Sequence, residues 1–157
     1  MVATGAGLVI DGWVVAAHPL FLSQVEALIS EVEKAKASNP DTYRRKPAAK
    51  RLAAIRKLAF TEIPSDPAHP KYRLGTTMGA DYRYWRRAKF FERYRLFFRY
   101  KEADRLIVLV WVNDGSTLRE RGARNDVYNV FKKMLGSGTP PSTWSDLVAE
   151  CQRLRPF

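Results

Sequence analysis

The run from Arg105 to Asn113, RLIVLVWVN, constrains the fold more than any other part of the chain. Its successive apolar side chains are rich in valine and isoleucine, which favour a strand. Because side chains alternate between the faces of a sheet, the run needs apolar cover on both faces. We therefore expect a central strand, covered by helices on one face and by other residues on the other.

Three further strands are predicted around this central strand. Tyr84–Phe90 and Arg93–Tyr100 precede it, and their short connections predict antiparallel neighbours. Gly12–Ala17 is short, apolar and β-prone, and it leads into a helix at His18 and Pro19. The sheet should thus be mainly antiparallel, and a helix-entry role is favoured for His18 over catalysis.

Two long helices are predicted between the first strand and the others. Apolar residues recur every three or four positions from Leu20 to Ala37, and a second stripe runs from about Asp41 to Phe60. Pro47 should kink or restart the second helix. Pro64–Asp81 is predicted to be a connecting loop.

The C-terminal part predicts two shorter helices. Asn125 or Asp126 can cap a helix that ends at Gly136, and TPPSTW starts the last one. The element order favours an α+β fold with both N-terminal helices on one sheet face. A length of 157 residues fits one domain, which we assign to residues 1–157.

The charge balance points to a polyanionic partner. The chain has 27 Lys and Arg against 16 Asp and Glu, a net charge of +11. The sequence predicts no membrane span and no signal peptide, so we expect a cytoplasmic protein. The lone Cys151 excludes an internal disulfide, and its apolar neighbours favour a buried, unreactive thiol.

The second predicted helix carries cations without intervening acids. The simplest interpretation is a solvated helix face, but like charges repel, which favours a phosphate backbone or an acidic partner. The candidates for RNA binding on this helix are Lys46, Lys50 and Arg51.

Arginine and aromatic residues alternate in the stretch RRAKFFERYRLFFRY, from Arg86 to Tyr100. The strand period places Leu96 and Phe98 on a core face and the arginines on the other face. Antiparallel pairing should bring Arg87 and Lys89 beside Arg95. Arginine forks match phosphate oxygens, and aromatic rings stack with unpaired bases, so this face predicts RNA binding. The alternative is a face whose arginines stay in water or pair with nearby glutamates.

Few residues are available for catalysis by the common routes. The two histidines have no acidic partner nearby in sequence, and no cluster has metal-ligand spacing, so no metal and no cofactor are expected. A site of Arg, Lys and Tyr could still cleave RNA, because the 2′-hydroxyl supplies an internal nucleophile.

Four stretches resemble the YhaV toxins of bacterial type II toxin–antitoxin systems: GWVVAAHP (12–19), WRRAKFFERYRLFFRY (85–100), WVNDGSTLRERG (111–122) and DVYNVFKKMLGSGTPPSTW (126–144). The resemblance implies a RelE-like α+β fold and metal-independent cleavage of messenger RNA, in many RelE relatives on the ribosome. It also implies a PrlF-like antitoxin with an AbrB-type DNA-binding fold, through which the toxin contacts operator DNA.

The resemblance implies a site on the hairpin, the following loop and the next helix. Candidate catalytic residues are Arg87, Lys89, Arg95, Arg119 and Tyr128. Further candidates for RNA binding are Arg86, Arg93 and Arg99. Tyr128 could equally be a core residue. The chain departs from the family pattern at Pro47 and at the hairpin turn Phe91–Glu92, which has no glycine and could shift the strand register.

Two other functions remain open at this point. A non-catalytic RNA- or ribosome-binding protein could block translation by occupancy. A DNA-binding regulator is less favoured, because no helix-turn-helix or ribbon motif is evident.

Overall fold

The computed structural model describes residues 8–157, so the part of the N-terminal prediction that concerns residues 1–7 lies outside it. The helices are α1 (Pro19–Ser38), α2 (Pro47–Lys57), α3 (Ile63–Ser65), α4 (Val127–Gly136) and α5 (Trp144–Glu150). The strands are β1 (Val9–Ile10), β2 (Trp13–Ala17), β3 (Arg86–Phe90), β4 (Tyr94–Lys101), β5 (Leu106–Val112) and β6 (Gln152–Arg153). The α+β class is therefore confirmed.

The strands form one mixed sheet in the order β1-β2-β5-β4-β3. Strand β5 lies in the middle, and every one of its residues is buried, as the apolar run predicts. It pairs antiparallel with β4 and parallel with β2. The other edge of β2 is shared by β1 and β6, two short strands that the sequence analysis did not identify.

Helix α1 matches its predicted extent within one residue at each end. His18 is its N-cap: Nδ1 accepts a hydrogen bond from the Leu20 amide at 3.1 Å, while Nε2 donates to Glu150 at 2.9 Å. The helix-entry role of His18 is thus confirmed. A neutral histidine carries one ring hydrogen and accepts at its other ring nitrogen, so these two contacts place the hydrogen on Nε2.

The second predicted helix is divided into several pieces. A 3₁₀ turn at Tyr43–Arg45 comes first, and α2 starts at Pro47, where the missing amide hydrogen costs no helical bond. A π-helical segment, Leu58–Glu62, then connects α2 to α3. The prediction that Pro47 restarts the helix is confirmed, and the predicted helical stretch from about Asp41 to Phe60 corresponds to the 3₁₀ turn, α2 and the start of the π-helical segment.

The two faces of the sheet each pack into an apolar cluster. Leu96 and Phe98 belong to a cluster that includes Phe21 of α1 and Ile55 of α2. Phe97 belongs to the other cluster, with α4 and α5. The core face predicted for Leu96 and Phe98 is thus confirmed. The expectation that the opposite face presents guanidinium groups instead of a core is wrong, because α4 packs on Phe97 and covers part of that face.

The hairpin between β3 and β4 turns without a glycine. Phe91 and Glu92 have φ angles of 45° and 60°, in the left-handed region that most side chains avoid. The resulting register pairs Arg87 with Phe97 and Lys89 with Arg95. Arg87 therefore lies diagonally across from Arg95 on the same face of the sheet.

Candidate functional site

The hydroxyl group of Tyr128 lies where two arginines of the hairpin converge. The Nε atoms of Arg87 and Arg95 each donate a hydrogen bond to this oxygen at 2.9 Å. A phenol oxygen has two lone pairs and one hydrogen. With both lone pairs used, the Tyr128 hydrogen remains available to a bound ligand.

The start of α4 fixes the position of the Tyr128 ring. Asp126 is the N-cap of this helix, and its Oδ2 atom accepts a hydrogen bond from the Tyr128 amide at 3.1 Å. The Tyr128 ring packs edge-on against Phe97 of β4, with 5.9 Å between the ring centroids. The ring is therefore a core residue, while its hydroxyl contacts the arginines.

A third arginine reaches Tyr128 from the loop after β5. The guanidinium of Arg119 lies 4.9 Å from the centroid of the Tyr128 ring. Its Nη1 atom donates to Oδ1 of Asp126 at 2.9 Å. The Asp126 side chain is only 3% exposed, so the ion pair is shielded from solvent on the acidic side.

We call Arg87, Arg95, Arg119, Asp126 and Tyr128 the Tyr128 cluster. Its three guanidinium groups outnumber its single carboxylate, so the cluster carries net positive charge. Positive charge with a free phenol hydrogen suits a phosphate group, which offers only acceptors. The five residues come from β3, β4, the loop after β5 and α4.

Arg95 is buried and held on its strand. Its amide donates to Oδ1 of Asn113 at 2.7 Å, and its Nη1 donates to the carbonyls of Glu92 and Tyr94 at 2.8 and 2.9 Å. Only 6% of Arg95 is exposed. These bonds satisfy a buried charge and fix the direction in which its Nε points.

Arg87 is half-buried and faces the Tyr128 hydroxyl oxygen from the edge strand β3. Its Nη1 atom donates to the carbonyls of Lys71 and Arg73 at 3.1 and 2.6 Å. The 3₁₀ turn Pro70–Tyr72 and the residue that follows it therefore anchor the guanidinium opposite Tyr128. Arg87 is more accessible than Arg95, which makes it the better candidate for direct contact with a ligand.

Two other predicted residues of the hairpin lie beside the cluster. Lys89 is exposed and directly opposite Arg95 in the strand register. Arg93 is exposed and precedes β4, and its Nε donates to the Arg119 carbonyl at 3.2 Å. Arg93 thus ties the hairpin to the loop that carries Arg119.

The remaining predicted arginines of the hairpin lie elsewhere. Arg99 is held between the rings of Trp85 and Trp144, at 5.5 Å from each centroid, and burial lowers its pKa. Arg86 lies on the opposite face of β3 from Arg87, and its guanidinium lies over the ring of Tyr100, 5.6 Å from the ring centroid. Neither contacts Tyr128, so the arginines that lie close together in the sequence do not make one continuous patch.

The predicted residues of the second helix also lie apart from Tyr128. Lys46 and Lys50 are exposed. Arg51 is half-buried, with its guanidinium 5.8 Å from the centroid of the Tyr94 ring. Hydrogen bonds from Ser116 lower the pKa of Asp114, and the nearby positive charge of Arg51 acts in the same direction.

Two polar residues of the site have contacts that the sequence does not predict. Asp126 was identified as a helix cap but not as the partner of Arg119. Asn113 lies at the end of β5, where its Nδ2 donates to the carbonyls of Arg93 and Thr117 at 3.1 and 2.9 Å. The sequence signals for these two residues are an acid at the start of a predicted helix and a polar residue at the end of an apolar strand.

Other functional groups are placed in structural roles. Cys151 is buried, and burial raises its pKa to about 12, which agrees with an unreactive thiol. Within residues 8–157, no group of three or more His, Cys, Asp or Glu side chains is placed to hold a metal ion. Over the same residues, no helix has the length and apolar content needed to cross a membrane.

Fold and site together define a small, basic α+β protein with a preformed cationic cluster. The chain belongs to the YhaV toxin family, because residues 15–152 match the family profile described as "Toxin with endonuclease activity, of toxin-antitoxin system". The membership predicted from the four sequence stretches is thereby confirmed.

The chain is similar to proteins of Escherichia coli. Toxin YhaV of E. coli O6:H1 (strain CFT073) and Ribonuclease toxin YhaV of strain K12 are each 43% identical to it over 145 residues. The matched region covers 91% of this chain and 94% of either relative. No solved structure matches the chain significantly.

Proposed function

We propose that the protein is the toxin of a toxin–antitoxin pair, with a RelE-like arrangement of helices on its sheet, and that it cleaves messenger RNA without a metal ion and so inhibits translation. Family membership supports the nuclease activity, and the name of the K12 relative supports RNA as the substrate. The observation that carries the proposal is the convergence of Arg87 and Arg95 on the Tyr128 hydroxyl.

The proposed reaction uses the RNA's own nucleophile. The 2′-hydroxyl loses its proton to solvent and attacks the adjacent phosphorus, so that a P–O2′ bond forms. The P–O5′ bond breaks, and Tyr128 donates its hydroxyl hydrogen to the departing O5′ atom. The products are a 2′,3′-cyclic phosphate and a 5′-hydroxyl, and Tyr128 regains a proton from water.

The arginines stabilise charge that grows during this step. Arg87 faces the non-bridging phosphate oxygens, and Arg95 with Arg119 stabilises the negative charge left on Tyr128 as its proton departs. Preorganised donors of this kind favour the transition state over the bound substrate. Lys89 adds positive charge at the outer side of the cluster.

The remaining predicted residues serve RNA binding in this proposal. Exposed Arg93, Lys46 and Lys50 contact phosphates along the strand, and Arg86 and Arg51 add positive charge from the two sides of the hairpin. Arg99 supports the surface through Trp85 and Trp144. Such contacts position RNA without reading its sequence.

The proposed partner is an acidic antitoxin of the PrlF-like, AbrB-type class, acting in the cytoplasm. Through its DNA-binding fold, the pair would contact operator DNA. Because the Tyr128 cluster is cationic, the antitoxin should silence it with acidic or hydrogen-bonding groups near Arg87, Arg95 or α4. A complex in which that surface stays open and unchanged contradicts this part of the proposal.

The test is RNA cleavage in excess EDTA, with and without ribosomes, by the parent protein and by Tyr128→Phe. The variant keeps the core ring and loses the hydroxyl, so cleavage should slow about 100-fold or more, as for loss of a general acid. Tyr72→Phe is the control, since Tyr72 is buried in the other core cluster. Cleavage abolished by EDTA contradicts metal independence, whereas translation blocked with intact RNA favours the non-catalytic alternative.

A further inference from the structure

A second aromatic and cationic surface lies at the start of β3. Tyr84 leaves 61% of its surface exposed, which is rare for a large aromatic side chain in this structure. It lines a shallow pocket of ≈ 240 Å³ together with Arg73, Gly75, Arg83 and Arg86. We call these five residues the Tyr84 pocket.

The charged side chains that line the Tyr84 pocket are all arginines. Among the described residues, none of the three has an acidic side chain within ion-pair distance. The Arg83 guanidinium lies 5.3 Å from the Tyr84 ring centroid and covers one face of the ring. A hydrogen bond from Arg83 and its positive charge lower the pKa of the Tyr84 hydroxyl.

The turn that carries Tyr84 is held in place by its neighbours. Nη1 of Arg86 donates to the carbonyls of Arg83 and Trp85, at 2.8 and 3.2 Å, one residue on either side of Tyr84. Trp85 is buried and packs against Phe131 of α4. The exposed Tyr84 ring is therefore held by an ordered turn, which reduces the entropy cost of binding a ligand.

The Tyr84 pocket is linked to the Tyr128 cluster through the backbone of Arg73. The Arg73 carbonyl accepts a hydrogen bond from Nη1 of Arg87 at 2.6 Å. Arg73 also forms a β-bridge with Arg86. Arg73 thus lines the pocket and also anchors Arg87 of the cluster.

We propose that the Tyr84 pocket binds a nucleotide of single-stranded RNA next to the cleaved linkage. The base stacks on the open face of Tyr84, while Arg73 and Arg83 hold the adjoining phosphate. Unpaired bases stack on exposed aromatic rings, and arginine pairs with phosphate oxygens, so the chemistry of the pocket favours RNA. This inference rests on the proposed function, since it assigns a flanking subsite to the same substrate.

The test measures binding of a single-stranded RNA whose riboses are 2′-O-methylated, because this probe lacks the nucleophile and cannot be cleaved. Tyr84→Ala should weaken binding about 5- to 150-fold, the range for losing one stacked base. Tyr84→Phe retains the ring and should bind like the parent. Both variants should keep the parental melting temperature, because Tyr84 is an exposed residue.

Shortening the probe one nucleotide at a time from each end locates the subsite. The penalty of Tyr84→Ala should disappear once the stacked nucleotide has been removed from one end.

Three results would overturn the subsite: parental binding by Tyr84→Ala at every probe length, equal weakening by Tyr84→Phe, or a Tyr84→Ala defect confined to antitoxin binding. Failure of the proposed cleavage is seen separately. If the parent binds the methylated probe but does not cut RNA, the subsite survives while the nuclease proposal fails.

Discussion

Replacing Arg87 tests whether its guanidinium group is catalytic or only binds RNA. Arg87 is half-buried, donates to the Tyr128 hydroxyl at 2.9 Å, and is anchored by the carbonyls of Lys71 and Arg73. If it contacts the scissile phosphate, its charge is worth more in the transition state than in the bound ground state. Its loss should therefore reduce cleavage more than binding.

The structure sets the size of each effect. Removal of one preorganised charge-stabilising donor costs about 100- to 1,000-fold in rate, or about 2.7–4 kcal/mol. Arg87→Ala should therefore slow cleavage at least about 100-fold. It should also lower the free energy of unfolding by about 1–3 kcal/mol, because each lost hydrogen bond contributes about 0.5–1.5 kcal/mol and water replaces part of them. Arg87→Lys keeps the charge without the fork and should recover only part of the rate.

The assay is single-turnover cleavage at saturating protein, with affinity measured separately on the 2′-O-methyl probe. Arg155→Ala removes the same charge from an exposed position after β6 and should cleave like the parent. Parental rates in both Arg87 variants, or equal losses of affinity and rate, would show that Arg87 merely positions RNA. The catalytic contacts would then lie with Arg119 and Tyr128.

Three further outcomes are expected. RNA affinity should fall steeply between low and physiological salt, because Lys and Arg side chains that neutralise phosphates release the counterions condensed on the RNA. A flat dependence would contradict electrostatic binding. Asp126→Asn should break the ion pair with Arg119, which should slow cleavage and lower the free energy of unfolding by about 1–3 kcal/mol in denaturant titrations. The control is Asp146→Asn on α5, which should not slow cleavage. Cys151 should react slowly with a thiol reagent at pH 8 until the protein is unfolded, because burial raises its pKa to about 12. Burial of the protonated thiol contributes to the free energy of unfolding. This contribution is fully present below about pH 8.5 and is lost as the pH rises toward 12.

Local pattern was enough to predict most elements of the fold. The period of α1, the apolar run of β5 and the alternation in β4 each reflect side-chain positions a few residues apart, so sequence spacing reveals them. The β3–β4–β5 meander follows from short connections. Strands β1 and β6 have two residues each, too few for any period to show, and they form only because β2 offers them an edge.

Sequence alone determined that this chain is strongly basic, that β5 is central, and that arginines and aromatics share one hairpin. Tertiary structure decided which arginines meet. Tyr128 reaches Arg95 across 33 residues of sequence because α4 packs on Phe97, a contact that no local pattern encodes. The same packing leaves Arg99 between two tryptophan rings, away from Tyr128. Strand alternation fixes the face on which a side chain lies, but only the packing of distant segments fixes what that side chain contacts.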